Sequence, residues 1–527
     1  MAARTGFLDT RMLRLSDEDF FTFRDCAQNV FVTGVTGGGK TSGPGRHLLT
    51  GLLQAGCGGI VLCAKPGEAD EVEALARELG RAASVIRWNG RNHGFNFLGY
   101  ALSRLGPDGV NGVVEYLMRV IEMMRHASAM PAGNGDAFWL DALKLLLRHT
   151  VPVVYAATGT LRITDILAFV HSAPTAPGQM NDPEWQSQGG FFMRCFIEAA
   201  RTLDDATGSR MVAYWRDEFS RLDPKLRSNI LAGFAMLDRF NHGWLRDAYC
   251  GETTLVPDLT AHGVIIVLDM PRALLGEDGM VAQMLFKDAW QQWVLSRNGL
   301  PPQHRERFVF CYADECQEFV TSTDADFLAM SRSSLAGTIY LTQSLPAMYS
   351  KIGSANAHDR THHLIANFGT RIFCANACAE TNEWASKTIG RSLQRRANYS
   401  QNEGGSNQYG MNMGEGANWG TSRNSGGSSG SSHGPGGASS NSGSNWGSGS
   451  SSGGSEQWGR NRSGGSSYGE SWGHSETMEA IVEVGFFARG LRTGGPQNSC
   501  RVDALWFMAS KQFVASGQNF LKVEFAQ

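Results

Sequence analysis

An apolar run at residues 30–35 enters a glycine-rich turn, and a stretch compatible with a helix follows. The turn, residues 34–41, fits the pattern G-x-x-x-x-G-K-[ST] in the strand–turn–helix context that the pattern requires. Its glycines let backbone N–H groups surround a phosphate, and the helix start adds the positive end of its dipole. The alternative is a glycine-rich hairpin turn, which the flanking strand and helix argue against. The sequence therefore predicts a phosphate-binding loop.

Each residue type in this loop has a chemical role with a nucleotide. Lys40 can reach the β- and γ-phosphates of ATP, and the hydroxyl of Thr41 can ligate Mg²⁺. ATP and Mg²⁺ are therefore the predicted ligands. The residues predicted to bind the nucleotide are Gly34, Val35, Thr36, Gly37, Gly38, Gly39, Lys40, Thr41 and Ser42.

A phosphate-binding loop of this kind needs a carboxylate from a neighbouring strand to hold the metal. The segment RFVFCYADE is an apolar strand that ends in Asp314 and Glu315. We predict that Asp314 holds Mg²⁺ and that Glu315 activates the attacking water. A turn or a helix N-cap would also explain such a pair, although the loop in the same chain favours the catalytic interpretation. The 274 residues that separate Lys40 from Asp314 require a large insertion.

Two more polar residues surround a third strand, GTIYLTQS. Gln343 ends that strand where a γ-phosphate would lie if the strand neighbours that of Asp314, and it could sense the phosphate. Arg332 lies 11 residues earlier, at the end of a predicted helix. It is either an ordinary solvated arginine or a residue that reaches the nucleotide of a neighbouring subunit.

Strands alternate with helices over most of the chain, and a block at about 108–247 has purely helical periodicity. Alternation of this kind predicts an α/β fold with a mostly parallel sheet covered on both faces, interrupted by an all-α insertion. After residue 476, the runs AIVEVGFFARG, DALWFMAS and LKVEFAQ predict three short C-terminal strands. The net charge of −3 excludes a broadly polybasic nucleic-acid binder, so any DNA contact must be local.

A Gly/Ser-rich segment separates these strands from the rest. Residues 401–470 contain 21 Gly and 19 Ser but no Leu, Ile, Val or Phe, so we predict a disordered coil. Aromatic residues interrupt it, and they are either incidental or stacking points for bases or a partner surface. Only three Arg and no Lys accompany them, which favours the first reading. The four tryptophans, each followed by glycine, are Trp419, Trp446, Trp458 and Trp472.

Targeting signals are not apparent in the sequence. The first residues contain no uninterrupted apolar segment, and no window approaches the ~18 apolar residues of a membrane span. The ten cysteines form no CxxC pair, which suits buried thiols in a reducing compartment better than a zinc site. A cytoplasmic location is therefore expected.

In combination, the motifs resemble the type IV coupling proteins of bacterial conjugation and secretion, of the TraG/TraD type. The resemblance covers roughly residues 28–392. The matching pieces are GVTGGGKTSG, VLCAKPGE, FNFLGY, FW, TTLVPDLTAHGVIIVLDMP, FVFCYADECQEF, SRSSLAGTIYLTQSL and FGTRIFCANACAETN, in that order.

The resemblance implies a RecA-like P-loop NTPase that assembles into a hexameric ring and pumps DNA. It places the family's trans-acting arginine on Arg332 and its motif glutamine on Gln343. The implied partners are DNA, expected to be single-stranded or a relaxase–DNA complex, and components of a type IV secretion channel. Family members usually begin with transmembrane helices, and none is predicted here, which leaves open whether this chain docks at the inner face of the membrane on a separate membrane-protein partner.

Two features limit how far the resemblance extends. Cys63 stands where many members have an acidic residue, which leaves the roles of Lys65 and Glu68 open. Residues 101–260 carry 15 Lys plus Arg and 18 Asp plus Glu, so the insertion is not basic. A coupling ATPase that delivers protein effectors therefore remains an alternative to a DNA pump. A nucleotide-gated scaffold with little turnover is a third candidate, which an intact Glu315 argues against.

These observations predict five regions. Residues 1–105 and 256–398 form the two parts of the NTPase domain, and residues 106–255 form the all-α insertion. Residues 399–476 form the disordered segment, and residues 477–527 supply strands that pack on the NTPase domain.

Overall fold

The structure is a computed structural model that describes residues 6–106, 109–127, 136–353, 356–410, 423–434, 437–448 and 461–527. Internal contacts divide the chain into two compact units. The first contains residues 1–391 and 480–527, and the second contains residues 392–479.

The strands follow one another at irregular intervals along the chain. In chain order they are β1 (Arg11–Arg14), β2 (Phe20–Thr22), β3 (Val30–Thr33), β4 (Gly58–Leu62), β5 (Val85–Trp88), β6 (Ile265–Leu268), β7 (Val309–Ala313), β8 (Ala336–Thr342), β9 (Thr370–Phe373), β10 (Arg391–Gly410), β11 (Arg423–Gly434), β12 (Gly437–Ser448), β13 (Asn461–Ala480), β14 (Arg501–Met508) and β15 (Phe520–Ala526).

A nine-stranded sheet organises the first unit, in the order β15-β14-β9-β3-β8-β7-β4-β6-β5. The strands from β9 to β5 are parallel, whereas β14 pairs antiparallel with both β9 and β15. Because β8 lies between β3 and β7, the carboxyl ends of these three strands meet at one edge of the sheet. Ligands of open parallel sheets bind at such an edge.

Helices connect the parallel strands. In chain order they are α1 (Phe23–Cys26), α2 (Arg46–Gln54), α3 (Glu68–Glu78), α4 (Phe97–Leu105), α5 (Val110–Ala127), α6 (Asp136–Thr158), α7 (Ile163–His171), α8 (Pro183–Ser187), α9 (Phe191–Ala199), α10 (Asp205–Ala213), α11 (Pro224–Ala232), α12 (Gly243–Cys250), α13 (Arg272–Ser296), α14 (Pro302–Arg305), α15 (Asp324–Ser331), α16 (Leu345–Ile352), α17 (Ala357–Ala366), α18 (Ala379–Ile389) and α19 (Val484–Arg489).

Helices α4 to α12 form an all-α insertion between β5 and β6. The predicted fold class, an α/β protein with a mostly parallel sheet and a helical insertion, is confirmed. Among the described residues, no single helix is long and apolar enough to cross a membrane, although α6 from Phe138 and α7, bent by 112°, pass that test as a pair.

Alternate residues of the parallel strands enter opposite cores. On β3, Phe31 packs in a core that extends into the insertion, whereas Val30 and Val32 pack in the core below α2 and α3. Ile60 and Val61 of β4 divide in the same way. Side chains alternate with a period of two residues along a strand, so a sheet covered on both faces needs apolar residues at every position. This explains the unbroken apolar runs in the sequence.

The C-terminal region differs in part from the sequence prediction. The runs DALWFMAS and LKVEFAQ lie in β14 and β15, but AIVEVGFFARG is mainly the helix α19 rather than a strand. Phe487 is buried and packs edge-on against Phe373, with the ring centroids 5.7 Å apart. Val482 and Phe487 share this small core with α18. Phe487 enters this core from the helix, whereas Val482 enters it from the segment that precedes the helix.

The second unit also differs from the coil predicted for residues 399–476. Its described parts are strands that form two two-stranded sheets, β10 with β13 and β11 with β12. The second pair is antiparallel from Arg423↔Ser448 to Gly434↔Gly437. The hydrogen bonds between paired strands join backbone N–H and C=O groups. The side-chain composition of the segment therefore did not predict the pairing. Trp446 lies in β12 and Trp472 in β13, whereas Trp419 and Trp458 lie outside the described residues.

Candidate functional site

The glycine-rich loop leaves the carboxyl end of β3 and leads through a turn at Thr41–Gly45 into α2. Gly37 and Gly39 have φ angles of +76° and +82°, a left-handed conformation that other residues adopt only with strain. A Cβ atom on Gly39 would also lie 2.6 Å from a methyl carbon of Val502 in β14. The backbone therefore requires glycine at this position on two independent grounds.

The remaining loop residues continue this compact path. Val35 donates its N–H to the Ala375 carbonyl and accepts the N–H of Gly38, at 2.9 and 2.8 Å. Thr36 is exposed at the tip, while Gly34 is buried against Cys374. Ser42 accepts a 2.6 Å hydrogen bond from the Gln527 side chain. The nine predicted residues thus form one continuous loop along the cleft.

Thr41 and Asp314 meet across the cleft, as their predicted shared role requires. Thr41 Oγ1 donates a 2.6 Å hydrogen bond to Asp314 Oδ2. The buried ammonium of Lys40 lies 4.0 Å from the other oxygen of Asp314 and 3.4 Å from Glu315 Oε1. A hydroxyl and a carboxylate are the hard oxygen donors that Mg²⁺ prefers, and Mg²⁺ keeps its other positions for water and phosphate. The donor set at this point therefore fits Mg²⁺.

Besides Lys40, three side chains donate to the carboxylate of Glu315. Lys65 Nζ and Gln343 Nε2 lie 2.7 and 3.0 Å from Oε1, and Gln317 Nε2 lies 3.0 Å from Oε2. Burial alone would raise the pKa of Glu315. These donors and Lys40 outweigh that effect and lower the pKa to about 2. The carboxylate is therefore ionised at every physiological pH, as a proton acceptor must be.

Gln343 reaches Glu315 because of the strand order. Its side chain follows β8, between the carboxyl ends of β3 and β7. The Gln343 carbonyl accepts a 2.9 Å hydrogen bond from Asn376 Nδ2 at the end of β9. This contact fixes the backbone that carries the amide.

Three residues in the cleft received no role from the sequence. Gln317 is one, and it accepts a 2.8 Å hydrogen bond from Thr342 Oγ1, which orients its amide toward Glu315. It belongs to the segment FVFCYADECQEF, which matched the family without giving Gln317 a role. The other two, Lys65 and Glu68, belong to the segment VLCAKPGE, which supplied the signal but not the role.

Glu68 lies at the start of α3 and fixes the loop before it. Its Oε2 accepts the N–H groups of Ala64 and Lys65 at 2.7 and 3.2 Å. Burial raises the pKa of Glu68 to about 7, an effect that the Asp314 charge adds to and that the two N–H groups oppose. Glu68 therefore changes protonation near neutral pH.

Arg332 lies away from this cleft. It is exposed on a turn at Arg332–Ser334, before the amino end of β8, whereas Gln343 follows the carboxyl end. The seven residues of β8 separate the two by about 20 Å. The structure therefore does not bring Arg332 to the nucleotide cleft of its own chain.

Comparisons with known proteins identify the fold. No protein-family model matches the sequence, and no curated protein matches it. The structure is similar to that of the bacterial conjugative coupling protein TrwBΔN70 in its unbound monoclinic form. The TM-score is 0.53 at 13% identity, over 99% of this chain and 92% of that chain.

Two further structures resemble this chain less closely. TrwB in complex with ADP and Mg²⁺ has a TM-score of 0.42 at 16% identity, over 74% of this chain and 82% of that one. VirB4 of Thermoanaerobacter pseudethanolicus has a TM-score of 0.40 at 14% identity, over 68% and 80%. The TrwBΔN70 match carries the conclusion: this chain has the fold of a type IV coupling protein.

Proposed function

We propose that this chain hydrolyses ATP with Mg²⁺ and that its cleft at β3, β7 and β8 is the active site. The observation that carries the proposal is the 2.6 Å hydrogen bond from Thr41 to Asp314, with Lys40 and Glu315 beside it. Two oxygens from distant parts of the sequence converge on the phosphate loop where a metal–nucleotide complex requires them. A glycine-rich turn with another purpose would not need this convergence.

Each residue of the cleft has a separate role in the proposed hydrolysis. The loop N–H groups and Lys40 hold the phosphates, and Thr41 and Asp314 would hold Mg²⁺. The metal, when bound, neutralises developing charge on the phosphates. Glu315 accepts the proton of the attacking water, and Gln343 contacts the γ-phosphate or that water.

We propose further that hydrolysis drives DNA, in single-stranded form or as a relaxase–DNA complex, into a type IV secretion or conjugation channel. The coupling-protein fold and the ordered motifs support this cargo. The chain acts as a hexameric ring at the cytoplasmic face of the membrane, docked on a membrane-protein partner. Arg332 is exposed and lies away from the cleft of its own chain, which supports a role at a boundary between subunits.

One observation favours a protein cargo instead. The insertion spanned by residues 101–260 carries 18 acidic and 15 basic residues, whereas a surface that tracks phosphates needs an excess of cations. In this second candidate function, the same ATPase delivers protein effectors. A nucleotide-gated scaffold is disfavoured by the presence of Glu315 beside Asp314.

Crosslinking in cells separates the two cargoes. The tagged protein is purified under denaturing conditions after crosslinking, and the attached DNA and protein are measured, with Lys40→Ala as the matched control. Enrichment of single-stranded DNA with the functional protein supports the DNA pump. Enrichment of a protein without DNA supports effector delivery, and absence of ATP hydrolysis by the purified protein would refute both.

A further inference from the structure

Lys65 is a cation in the cleft that the proposed reaction has not used. It follows β4 on a loop that Glu68 holds by accepting the N–H groups of Ala64 and Lys65. Its side chain is 52% exposed, yet its ammonium lies 2.7 Å from the buried carboxylate of Glu315. The anchored backbone and the flexible four-carbon stem let the ammonium move within the cleft while its origin stays fixed.

Three donors converge on a single oxygen of Glu315. Lys65, Gln343 and Lys40 lie 2.7, 3.0 and 3.4 Å from Oε1. The ammonium nitrogens of Lys40 and Lys65 are therefore no more than about 6 Å apart, the sum of their two contacts. Two cations this close repel each other unless an anion lies between them, and here the anion is the Glu315 carboxylate.

A phosphate oxygen satisfies the same three donors. It is anionic, accepts several hydrogen bonds, and binds ammonium groups through charge-assisted contacts. Lys40 already belongs to the phosphate loop, so a γ-phosphate within its reach is also within reach of Lys65. Glu315, in turn, must face the attacking water in order to accept its proton.

We propose that Lys65 is a second cationic ligand of the ATP γ-phosphate and that it exchanges Glu315 for that phosphate when ATP binds. This inference rests on the proposed function, since it requires ATP in the cleft. Transfer of Lys65 and Gln343 to the phosphate releases Glu315 Oε1 for the water. ADP has no γ-phosphate, so Lys65 stays with Glu315 when ADP binds, and the lysine distinguishes the two nucleotides.

Nucleotide affinities test the proposal. Binding of a non-hydrolysable ATP analogue and of ADP, each with Mg²⁺, is measured by calorimetry for the wild type, Lys65→Met, Lys65→Arg and the control Lys387→Met, whose lysine is exposed on α18. We expect Lys65→Met to weaken the ATP analogue roughly tenfold and ADP less than twofold. Lys65→Arg should recover most of the loss, and Lys387→Met should bind both like the wild type.

The Glu315→Gln background separates a phosphate ligand from a residue that only restrains Glu315. If Lys65 contacts the phosphate, Lys65→Met weakens the ATP analogue by a similar factor in that background. Loss of the effect there would overturn the proposal, as would an equal loss for both nucleotides or no loss. A wild type that binds neither nucleotide would instead refute the proposed ATPase, and the inference with it.

Discussion

Thr41 and Asp314 are separated by 273 positions in the sequence, yet their side chains share a 2.6 Å hydrogen bond. This distance results from the topology: β3 and β7 flank β8, so the residues that follow them reach the same point. The insertion does not change that arrangement, because the chain leaves the sheet after β5 and returns to it at β6. The candidate metal site thus depends on strand order rather than on sequence proximity.

Replacing Thr41 by valine tests this pair directly. Thr41→Val keeps the side-chain volume but removes one proposed Mg²⁺ ligand, so we expect the Mg²⁺ concentration for half-maximal ATP hydrolysis to rise at least tenfold. Thr10→Val, a change of an exposed threonine near the N-terminus, is the control. An unchanged Mg²⁺ requirement in Thr41→Val would remove Thr41 from the metal site.

Glu315→Gln should separate nucleotide binding from turnover. Glutamine keeps the shape of the side chain but cannot accept a proton, so kcat should fall by roughly 10²–10⁴-fold while ATP still binds. Glu383→Gln, at an exposed carboxylate on α18, should hydrolyse ATP at the wild-type rate. Steady-state hydrolysis and equilibrium binding measure the two effects. Turnover by Glu315→Gln close to that of the wild type would mean that another group activates the water.

Mixed rings test the role proposed for Arg332. Arg332→Ala and Lys40→Ala subunits should each be inactive alone. In a random equal mixture, about a quarter of the boundaries pair an intact Lys40 with an intact Arg332, so some activity should return. Mixtures of Lys40→Ala with a double Arg332→Ala, Lys40→Ala variant form no such boundary and serve as the control. If every mixture stays inactive although both variants assemble, Arg332 does not act in trans.

The raised pKa of Glu68 makes stability depend on pH. With a pKa of about 7 in the folded protein and an ordinary value of 4.5, Glu68 takes up a proton on folding between these pH values. Stability is therefore lost as pH rises across this window, by roughly 1–3 kcal/mol. Glu68→Gln lacks this loss and should be more stable than the wild type at pH 8 but not at pH 4.5.

Thermal unfolding at the two pH values measures the effect of Glu68→Gln. Glu71→Gln, an exposed position on the same helix, is the matched control and should follow the wild type at both. A Glu68→Gln variant with the same stability difference at pH 4.5 and pH 8 would contradict the assigned protonation change.

Deleting residues 405–470 should leave basal ATP hydrolysis unchanged. These residues belong to the second unit, whereas the proposed active-site residues belong to the first. If the tryptophans bind cargo or a partner, the deletion should weaken that binding, and changing Trp419, Trp446, Trp458 and Trp472 together to Ser should reproduce the loss. Loss of ATP hydrolysis in the deletion variant would show that the segment is required for the ATPase activity.

Much of the fold could be predicted, because strands, helices and the phosphate loop each produce a pattern among residues that are neighbours in the sequence. The phosphate loop, the strand that ends in Asp314 and the helical insertion each have a pattern in the sequence. Lys65 and Gln317 lie in segments that match the family, but their roles depend on distant residues: Lys65 reaches Glu315 from a separate loop, and Thr342 orients Gln317 toward Glu315. The segment of α19 was predicted wrongly as a strand because its short apolar run fits both periods. Strand pairing in the second unit involves backbone groups, which composition does not report.

The contact of Val502 with Gly39 has a consequence for the order in which the protein matures. A Cβ atom at Gly39 would meet Val502, so the phosphate loop and β14 pack directly on each other. The loop precedes β14 in the chain, so during synthesis it leaves the ribosome before the strand that supports it. Nascent chains therefore complete the Gly/Ser-rich segment before the loop has its final neighbour, so the proposed nucleotide site is completed late in synthesis.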